Sequence, residues 1–326
     1  EKYKRLTKTN VFYDDLLRFQ GSVIVFDKNG DDTLWVRTFY NEFEKEEIDN
    51  SLKRIYTLLH SDGDERNLQF LNVDHIDFCT FGNSKPFRIK IRNILNDNYT
   101  HFYIKKADAS RIFGLELEDV LSPNRINYLV FKDTLIEEHI VGIPGDVFLE
   151  KHLKNCTESE KAQIAKEFVK FNERCMIGLL GDMRSYNFVV IPIYDYDHIV
   201  FKIRAIDFDQ QCYEGNFKLY KPHLFKENYP FYQLVKDKLK QNSIEQYQNE
   251  ERSILVKRLV GSEERLKDLL VAMKSMELSP LDKLEQLKNE TFKFTLDINF
   301  KKAKSMGEII EAALNNMKRN YKSDNQ

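Results

Sequence analysis

The sequence has no long uninterrupted apolar run, which argues against a membrane-spanning protein. None of its 326 residues belongs to a stretch approaching the roughly 20 consecutive apolar residues that a helix needs to cross a bilayer. The charged first residues, Glu1–Arg5, also lack the apolar segment of a secretory signal. We therefore expect a soluble, cytoplasmic protein that has no membrane partner.

Cysteine is scarce, and there is no strong excess of charge of one sign. The 50 Lys and Arg residues nearly balance the 52 Asp and Glu residues, so no overall field attracts nucleic acid and no nucleic-acid partner is predicted. The few cysteines form no CxxC pair and have no histidines at a zinc-binding spacing. We expect reduced thiols, as in a cytosolic protein, at Cys79, Cys156, Cys175 and Cys212.

The residues that are present are typical of an ordered globular protein. Hydrophobic residues make up 42% of the chain and charged residues 31%, a composition that can support a sizeable core. The length of 326 residues exceeds the size at which a single core usually stops growing. We therefore expect two or three packed units.

Residues 1–65 predict a small N-terminal α/β appendage. Two short β-prone runs, Ser22–Asp27 and Thr33–Arg37, flank an Asn29-Gly30 pair that tolerates the positive φ angles of a hairpin turn. Residues 41–60 then place apolar side chains at near-helical spacing, and the breaker-rich residues 61–64 end that pattern. We therefore predict a boundary near residue 66.

Residues 66–141 predict a compact, β-rich lobe with one helical insert. The runs alternate β-formers with turn residues, apart from one amphipathic stretch that a Ser-Pro-Asn segment stops. In chain order, the predicted elements are the strands His75–Phe81, Phe87–Arg92 and His101–Lys105, the helix Ala109–Leu121, and the strands Ile126–Phe131 and Thr134–Ile140.

Residues 142–326 predict a mostly helical unit, so the fold class is α+β. Thr157 and Glu160 have the spacing of a capping box, and helical periodicity continues to about residue 179. A β-prone region follows at residues 188–206. The remaining predicted helices are the amphipathic stretches at 229–241, 243–259, 262–276, 281–290 and 305–319, before a solvated tail from Lys318.

The segment that carries chemistry surrounds this β-prone region, which predicts a hairpin. Asp182 and Asn187 precede the strand Phe188–Ile193, and Asp207 follows the strand Ile199–Ile206. Because antiparallel partners lie only about 5 Å apart, we expect the side chains of Asn187 and Asp207 to approach each other, with Asp182 at the same edge. Two carboxylates and one carboxamide supply the oxygen ligands that Mg²⁺ prefers. Phosphoryl transfer uses such a site.

This segment resembles the catalytic machinery of protein kinases, aminoglycoside phosphotransferases and choline kinases. Asp182 with Asn187 five positions later is similar to their catalytic loop, and Ile206-Asp207-Phe208 is similar to their metal-binding segment. The resemblance implies that Asp182 is the catalytic base, that Asn187 and Asp207 hold Mg²⁺, and that Arg184 steadies the γ-phosphate of ATP. It also implies a two-lobed protein-kinase-like fold, with a β-rich N-lobe and a helical C-lobe.

The resemblance extends to the predicted N-lobe and covers about residues 75 to 215. In the family, a strand lysine that grips the α- and β-phosphates pairs with a helix glutamate. Lys105 and Glu116 fit these positions, with Lys106 and Glu118 as the competing register. By the same likeness, the adenine would be gripped at Glu138, His139 and Ile140, and the phosphates would be covered by Gly82, Asn83 and Ser84.

The sequence also departs from the family pattern. The phosphate-covering loop has a single glycine, Gly82, and Leu180 stands where a His usually precedes the catalytic Asp. Asp209 replaces the glycine of the metal-binding segment, and no Ala-Pro-Glu segment follows. These departures point to an atypical member, nearer the small-molecule kinases or the serine kinases of bacterial toxin–antitoxin pairs.

The expected function is therefore ATP- and Mg²⁺-dependent transfer of the γ-phosphate to a hydroxyl of an unknown small molecule or of a protein Ser or Thr. The main alternative is a catalytically weak pseudokinase that acts as a nucleotide sensor or scaffold. A third reading is a helical interaction module attached to a structural β-lobe. An aromatic stripe is expected to pack the helical lobe rather than line a substrate pocket, at Tyr220, Phe225, Tyr229, Phe231 and Tyr232.

Several of these residues also have structural interpretations. Lys105 could be a solvated lysine at a strand edge, and Glu116 could be surface charge on its helix. Arg184 could form a structural ion pair with Asp195 or with Asp209. Asp209 could be a second metal ligand, although we favour a role in a turn.

Overall fold

The computed structural model describes residues 9–61, 63–195 and 198–323, and the chain divides into two compact units. The sheet unit comprises the chain up to Asp108 together with Ile126–His139. The helical unit comprises Ala109–Arg125 together with the chain from Ile140 onward. The fold is thus mixed α+β, with an antiparallel sheet and a helical C-terminal region.

The sheet unit contains one seven-stranded sheet whose neighbouring strands are all antiparallel. Its elements are α1 (Tyr13–Leu16), β1 (Gly21–Phe26), β2 (Asp32–Phe39), α2 (Glu42–His60), a 3₁₀ turn (Glu65–Phe70), β3 (Leu71–Cys79), β4 (Phe87–Asn93), β5 (Tyr99–Lys106), β6 (Tyr128–Phe131) and β7 (Thr134–Glu138). In space, the strands lie in the order β1-β2-β3-β4-β5-β7-β6.

The core of the sheet unit follows from the period of two in its strands. Along β4, Phe87, Ile89 and Ile91 are buried and alternate with more exposed polar residues, as expected when one face of a sheet packs against other elements. Leu52 and Ile55 of α2 belong to the same buried cluster. Burial of these apolar side chains stabilises the unit by about 25 cal/mol per Å² removed from water.

The first hairpin and α2 confirm the sequence prediction, but the predicted separate appendage is wrong. Strand β2 continues the sheet by pairing with β3, where Arg37 lies opposite Asp77. Helix α2 packs against β3 and β4. The chain on both sides of the predicted boundary near residue 66 therefore belongs to one unit, because β2 leaves an edge that β3 satisfies with backbone hydrogen bonds.

The helical unit contains the remaining elements, and α5 is its most central helix, packing against α6, α7, α11 and β10. Strands β8, β9 and β10 form a small antiparallel sheet in the order β10-β9-β8. The bounds are α3 (Ala109–Leu121), β8 (Ile143–Pro144), α4 (Gly145–Val147, continuing as a π-helical turn over Phe148–His152), α5 (Glu158–Gly178), β9 (Phe188–Asp195), β10 (His198–Ala205), α6 (Tyr229–Lys238), α7 (Gln241–Gly261), α8 (Glu263–Lys274), α9 (Leu281–Thr295), α10 (Ile298–Lys302) and α11 (Met306–Ser323), with 3₁₀ turns at Leu153–Asn155, Ser185–Asn187, Phe217–Tyr220, Pro222–Leu224 and Lys226–Asn228.

Helix α3 has the predicted bounds but belongs to the helical unit rather than to the β-rich unit. Its apolar stripe explains this, because Phe113, Leu117, Val120 and Leu121 are part of the buried cluster of the helical unit. The division between the units falls after His139, close to the predicted boundary at residue 141.

Most predicted helices of the C-terminal region are confirmed, with two differences. The unpredicted short helix α10 precedes α11, and α11 continues to Ser323 through the region that we expected to be a solvated tail. Buried Leu314 and Met317 and partly buried Tyr321 repeat at helical spacing, and the Tyr321 hydroxyl lies 3.0 Å from Ser253 Oγ, so packing extends the helix. No described helix is long and apolar enough to cross a membrane.

The aromatic stripe is packed largely as expected. Tyr220, Phe225 and Phe231 are buried, and Phe231 stacks on Phe168 with ring centroids 5.1 Å apart. Tyr229 differs, because its side chain is exposed.

The capping box of α5 yields a stability prediction. The Glu160 N–H donates to Thr157 Oγ1 at 3.3 Å, and the Thr157 N–H donates to Glu160 Oε2 at 2.6 Å. We expect Thr157→Ala to lower the free energy of unfolding by about 1 kcal/mol, while Thr157→Ser retains most of it because the hydroxyl remains. Urea unfolding followed by circular dichroism measures both values. Equal losses for the two variants would contradict this role of the hydroxyl.

Candidate functional site

Asp182 lies in a loop whose backbone is constrained on both sides. Helix α5 ends at Gly178, its C-cap residue Leu179 has a left-handed φ of 51°, and Asp182 itself has a φ of 53°. Asp tolerates this region better than most residues, yet the conformation needs support from its surroundings. The Asp182 N–H donates to the Leu219 carbonyl at 3.1 Å, and the neighbouring Gly181 N–H donates to the Gln210 carbonyl at 3.2 Å. The loop is therefore held in one geometry.

The β9–β10 hairpin brings Asn187 and Asp207 to the same end, as the sequence predicted. Phe188 lies opposite Ala205 in the register, and the Ile206 N–H donates to the Asn187 carbonyl at 3.0 Å. Asp207 follows directly after this bond. The residues between the two predicted strands, 194–198, were expected to form the hairpin turn. Tyr194 and Asp195 still belong to β9, His198 begins β10, and residues 196–197 lie outside the described residues.

The Asn187 amide joins the two halves of the site. Its Nδ2 donates to the backbone carbonyl of Asp182 at 2.7 Å. Only the nitrogen of an amide can donate, so this bond orients the side chain and turns Oδ1, which is an acceptor, away from that carbonyl. Oδ1 is therefore the atom of Asn187 that suits a cation.

Asp207 and Phe208 are held by the segment that follows them. Oδ1 of Asp207 accepts a hydrogen bond from the Asp209 N–H at 3.1 Å, the geometry in which an Asp side chain stabilises its own turn. Phe208 is buried in the helical unit. The carboxylate orientation of Asp207 thus depends on where the backbone of Asp209 lies.

Arg184 pairs with Asp182 and with a residue that the sequence did not suggest. Its Nε lies 2.7 Å from Asp182 Oδ1, and its Nη1 lies 2.7 Å from Glu227 Oε1. The alternatives that we considered, ion pairs with Asp195 or with Asp209, are wrong. Nothing in the local sequence of Glu227 indicates this role, because a 3₁₀ turn more than 40 positions away brings it to the loop.

The charges of this group support one another. Hydrogen bonds from Arg184 to Asp182 and to Glu227 raise the pKa of the guanidinium. The Glu227 backbone N–H and the Arg184 guanidinium lower the pKa of the Glu227 carboxyl. The side chains of Asp182, Arg184 and Glu227 remain about one third exposed, so this ion-pair network is accessible to water and to ligands.

Asp209 lies in a turn, as we favoured, and its side chain also forms an ion pair. Its carboxylate accepts from Arg111 of α3, with Nη2 2.8 Å from Oδ2 and a second contact from Nε to Oδ1. Arg111 is only 8% exposed, so the pair is largely removed from water.

Lys105 of the sheet unit is buried, and so the interpretation as a solvated strand-edge lysine is wrong. Its Nζ lies 2.8 Å from Oε2 of Glu137 on the adjacent strand β7. Glu137 was not predicted from the sequence. In the β5–β7 register it lies opposite Tyr103 and diagonal to Lys105, which lies opposite Leu135. Lys106, the competing register, is exposed at the end of β5.

Glu116 also has a partner within its own unit. Its Oε2 accepts from Nη2 of Arg265 at 2.5 Å, so it is more than unpaired surface charge. Glu118, the alternative position, is buried, and burial raises the pKa of its carboxyl against the effect of nearby Arg174. The predicted pairing of Lys105 with Glu116 stays a prediction.

The predicted nucleotide loops have ordinary structural features. Glu138 binds the Asn127 N–H at 2.7 Å through Oε1, and the His139 N–H donates to the His101 carbonyl at 3.3 Å. Ile140 is the first residue of the helical unit after this strand. The loop Gly82-Asn83-Ser84 follows β3, and Gly82 has a φ of 79° with open space where a Cβ would stand. Adenine and phosphate contacts at these positions remain predictions.

A large cavity of the helical unit lies apart from this loop. It has a volume of about 1040 Å³ and is bounded by α5, α7, α9 and α11. Its lining includes the ion pair of Glu173 and Arg252 but none of Asp182, Asn187 or Asp207. Within the described ranges, no three His, Cys, Asp or Glu side chains form a metal-binding group. A cation at the hairpin end would therefore depend on two carboxylates and one amide oxygen.

No protein-family model matches this chain, and no curated protein sequence matches it. The interpretation of the site therefore depends on its geometry and on the family resemblance of its motifs.

The amide of Asn187 yields a prediction that is independent of any ligand. We expect Asn187→Ala to lower the free energy of unfolding by about 1 kcal/mol, because the Asp182 carbonyl loses one of two donors and keeps the Arg184 N–H at 2.8 Å. Asn187→Asp should cost more at pH 7, since a carboxylate oxygen would face that carbonyl, and the excess should shrink below pH ~4 as the new acid is protonated. Urea unfolding at both pH values measures this.

Asn289→Asp is the matched control for this series. Asn289 Nδ2 donates to the Glu285 carbonyl at 2.8 Å in the same manner, but at an exposed position of α9. We expect a much smaller loss there. An equal loss at positions 187 and 289 would contradict the importance of the Asn187 bond.

Proposed function

We propose that this protein is an ATP- and Mg²⁺-dependent phosphotransferase of the protein-kinase-like type. The observation that carries the proposal is the hydrogen-bonded connection of Asp182, Asn187 and the end of the β9–β10 hairpin. A bond of 2.7 Å joins Asn187, a proposed metal ligand, to Asp182, the proposed base. A bond of 3.0 Å joins Asn187 to Ile206, which precedes the second proposed metal ligand, Asp207. A loop held only by structural ion pairs would not need the Asn187 amide at the end of the hairpin.

The element order of the chain supports the proposal. Strands β3, β4 and β5, with Lys105 on β5, are followed by helix α3 and then by β6 and β7. This is the succession of two strands, a lysine-bearing strand, a helix and two strands that the resemblance implies. Lys105 is buried in an ion pair with Glu137. Such a pair holds the lysine side chain in one position, which a binding role would require.

The side chains fit the proposed chemistry. Asn187 Oδ1 and the Asp207 carboxylate are oxygen donors of the kind that Mg²⁺ prefers, and the bound ion would supply charge neutralisation for the transferred phosphoryl group. Asp182 Oδ1 is occupied by Arg184, so Oδ2 is the atom that would accept the proton of the acceptor hydroxyl. Arg184 presents its positive charge beside the same position.

Two observations favour a second candidate function, a nucleotide-binding sensor or scaffold without turnover. Arg184 is engaged by both Asp182 and Glu227, so phosphate binding would have to compete with two carboxylates. The loop proposed to cover the phosphates contains a single glycine, Gly82. Because glycine permits close approach of the backbone to a ligand, this scarcity of glycine limits such an approach. We place phosphotransfer first because the Asp182, Asn187 and Asp207 set is complete.

Nucleotide-dependent thermal stability and ATP turnover test this proposal. We expect ATP with Mg²⁺ to raise the melting temperature by several °C at 100 times the dissociation constant, where binding contributes about 2.7 kcal/mol. We also expect slow ATP hydrolysis, which Asp182→Ala should reduce by at least about a hundredfold because the group that orients the acceptor is lost.

The control and the contrary outcomes are distinct. Asp237→Ala, which removes an exposed carboxylate on α6, should leave both stabilisation and hydrolysis unchanged. Stabilisation without any turnover would favour the sensor or scaffold. No effect of ATP at millimolar concentration, with or without Mg²⁺, would overturn both functions.

A further inference from the structure

One face of helix α3 contacts the segment that carries Asp207. Arg111 grips the Asp209 carboxylate with two guanidinium nitrogens, a forked geometry that restrains orientation as well as distance. The side chains are 9% and 17% exposed, so water weakens this pair less than it weakens the surface ion pairs of the chain.

Gly114, one turn further along α3, brings the two backbones unusually close. A Cβ at this position would lie 2.8 Å from Cβ of Phe208 and 3.1 Å from Cβ of Gln211. Residues 111 and 114 are neighbours on one helix face. The segment therefore lies directly against α3, with no room for a side chain between them.

The end of α5 holds the opposite side of the same segment. Gln211 Nε2 donates to the Gly178 carbonyl at 2.6 Å and to the Leu179 carbonyl at 3.1 Å. The Cys212 N–H also donates to the Leu179 carbonyl, at 2.9 Å. Residues 208–212 are thus fixed between α3 and the chain that leads to Asp182.

We infer that Arg111 is a positioning residue for Asp207. Arg111 fixes the Asp209 carboxylate, this fixes the Asp209 backbone, and the Asp209 N–H in turn holds Asp207 Oδ1 at 3.1 Å. The inference depends on the proposed function, because it treats Asp207 as a ligand of Mg²⁺. Side chains that support a metal ligand in this indirect manner typically change metal affinity by 10- to 100-fold when they are altered.

A second arginine that anchors α3 provides the matched comparison. Arg258 of α7 donates to the Val120 carbonyl at 3.1 Å and to the Asp119 carbonyl at 2.7 Å, at the far end of α3 from Arg111. Arg111→Lys and Arg258→Lys each keep the positive charge and remove the planar fork. A general loss of helix anchoring would affect both variants alike, whereas a positioning role concerns Arg111 alone.

The experiment measures two quantities for the full chain: the half-saturating Mg²⁺ concentration for stabilisation by ATP, and the affinity for ATP without metal. We expect Arg111→Lys to raise the Mg²⁺ requirement about tenfold and to leave metal-free ATP affinity within about twofold of the unchanged protein. Arg258→Lys should change neither. Arg111→Gln with Asp209→Asn, which leaves no unpaired buried charge, should repeat the increase even if the lysine variant folds poorly.

The outcomes separate this inference from the proposed function. If the unchanged protein shows no Mg²⁺-dependent response to ATP, the proposed function fails, and the inference fails with it. If the unchanged protein responds and both altered forms at position 111 keep its Mg²⁺ requirement, the inference alone is overturned. Equal weakening of metal-free and metal-dependent binding would also overturn it, since that result indicates a purely structural ion pair.

Discussion

The candidate site depends on one backbone hydrogen bond, donated by the Ile206 N–H to the Asn187 carbonyl at the end of the β9–β10 hairpin. It is the last bond of an antiparallel register that runs from His198 opposite Asp195 to Ala205 opposite Phe188. A shift of one residue in this register would turn every side chain of one strand to the other face. On β10, buried Phe201, Ile203 and Ala205 alternate with more exposed residues, so these side chains oppose such a shift because it would expose them.

Buried charges anchor this hairpin to the helices. Arg174 of α5 lies 2.7 Å from Glu251 of α7 through Nη1 and donates to the Ile203 carbonyl of β10 at 3.2 Å through Nη2. Glu173, the preceding residue, pairs with Arg252 at 2.7 Å. Buried charges destabilise a fold unless their partners are well placed, so these pairs restrict the arrangements that α5, α7 and β10 can adopt.

The two arginines near the site have different physical situations. Arg111 is buried, and its fork holds one carboxylate, which suits a fixed support. Arg184 is one third exposed and shares its charge between Asp182 and Glu227, which suits a group that exchanges partners when an anion arrives. The behaviour of Arg184 also distinguishes the two proposed functions. An Arg184 that stays bound to Asp182 would favour a sensor, whereas an Arg184 that releases Asp182 to bind phosphate would favour phosphotransfer.

Much of the secondary structure was predictable from the sequence, because its signals are local. The bounds of α3, the capping box of α5 and the β9–β10 hairpin follow from side-chain periodicity and from caps within a few residues. Because the two strands form a hairpin, Asn187 and Asp207 lie at the same end of one sheet. These features need no knowledge of distant contacts.

Features that depend on contacts between distant parts of the chain could be seen only in the tertiary structure. The predicted appendage is part of the sheet because β2 finds β3 across more than 30 residues, and α3 joins the helical unit because its apolar stripe packs there. The partners Glu137, Glu227 and Arg111 come from strands, turns and helices that local patterns do not connect to Lys105, Arg184 and Asp209. An ion pair depends on distance in space, and sequence spacing specifies that distance only within a helix turn or a hairpin.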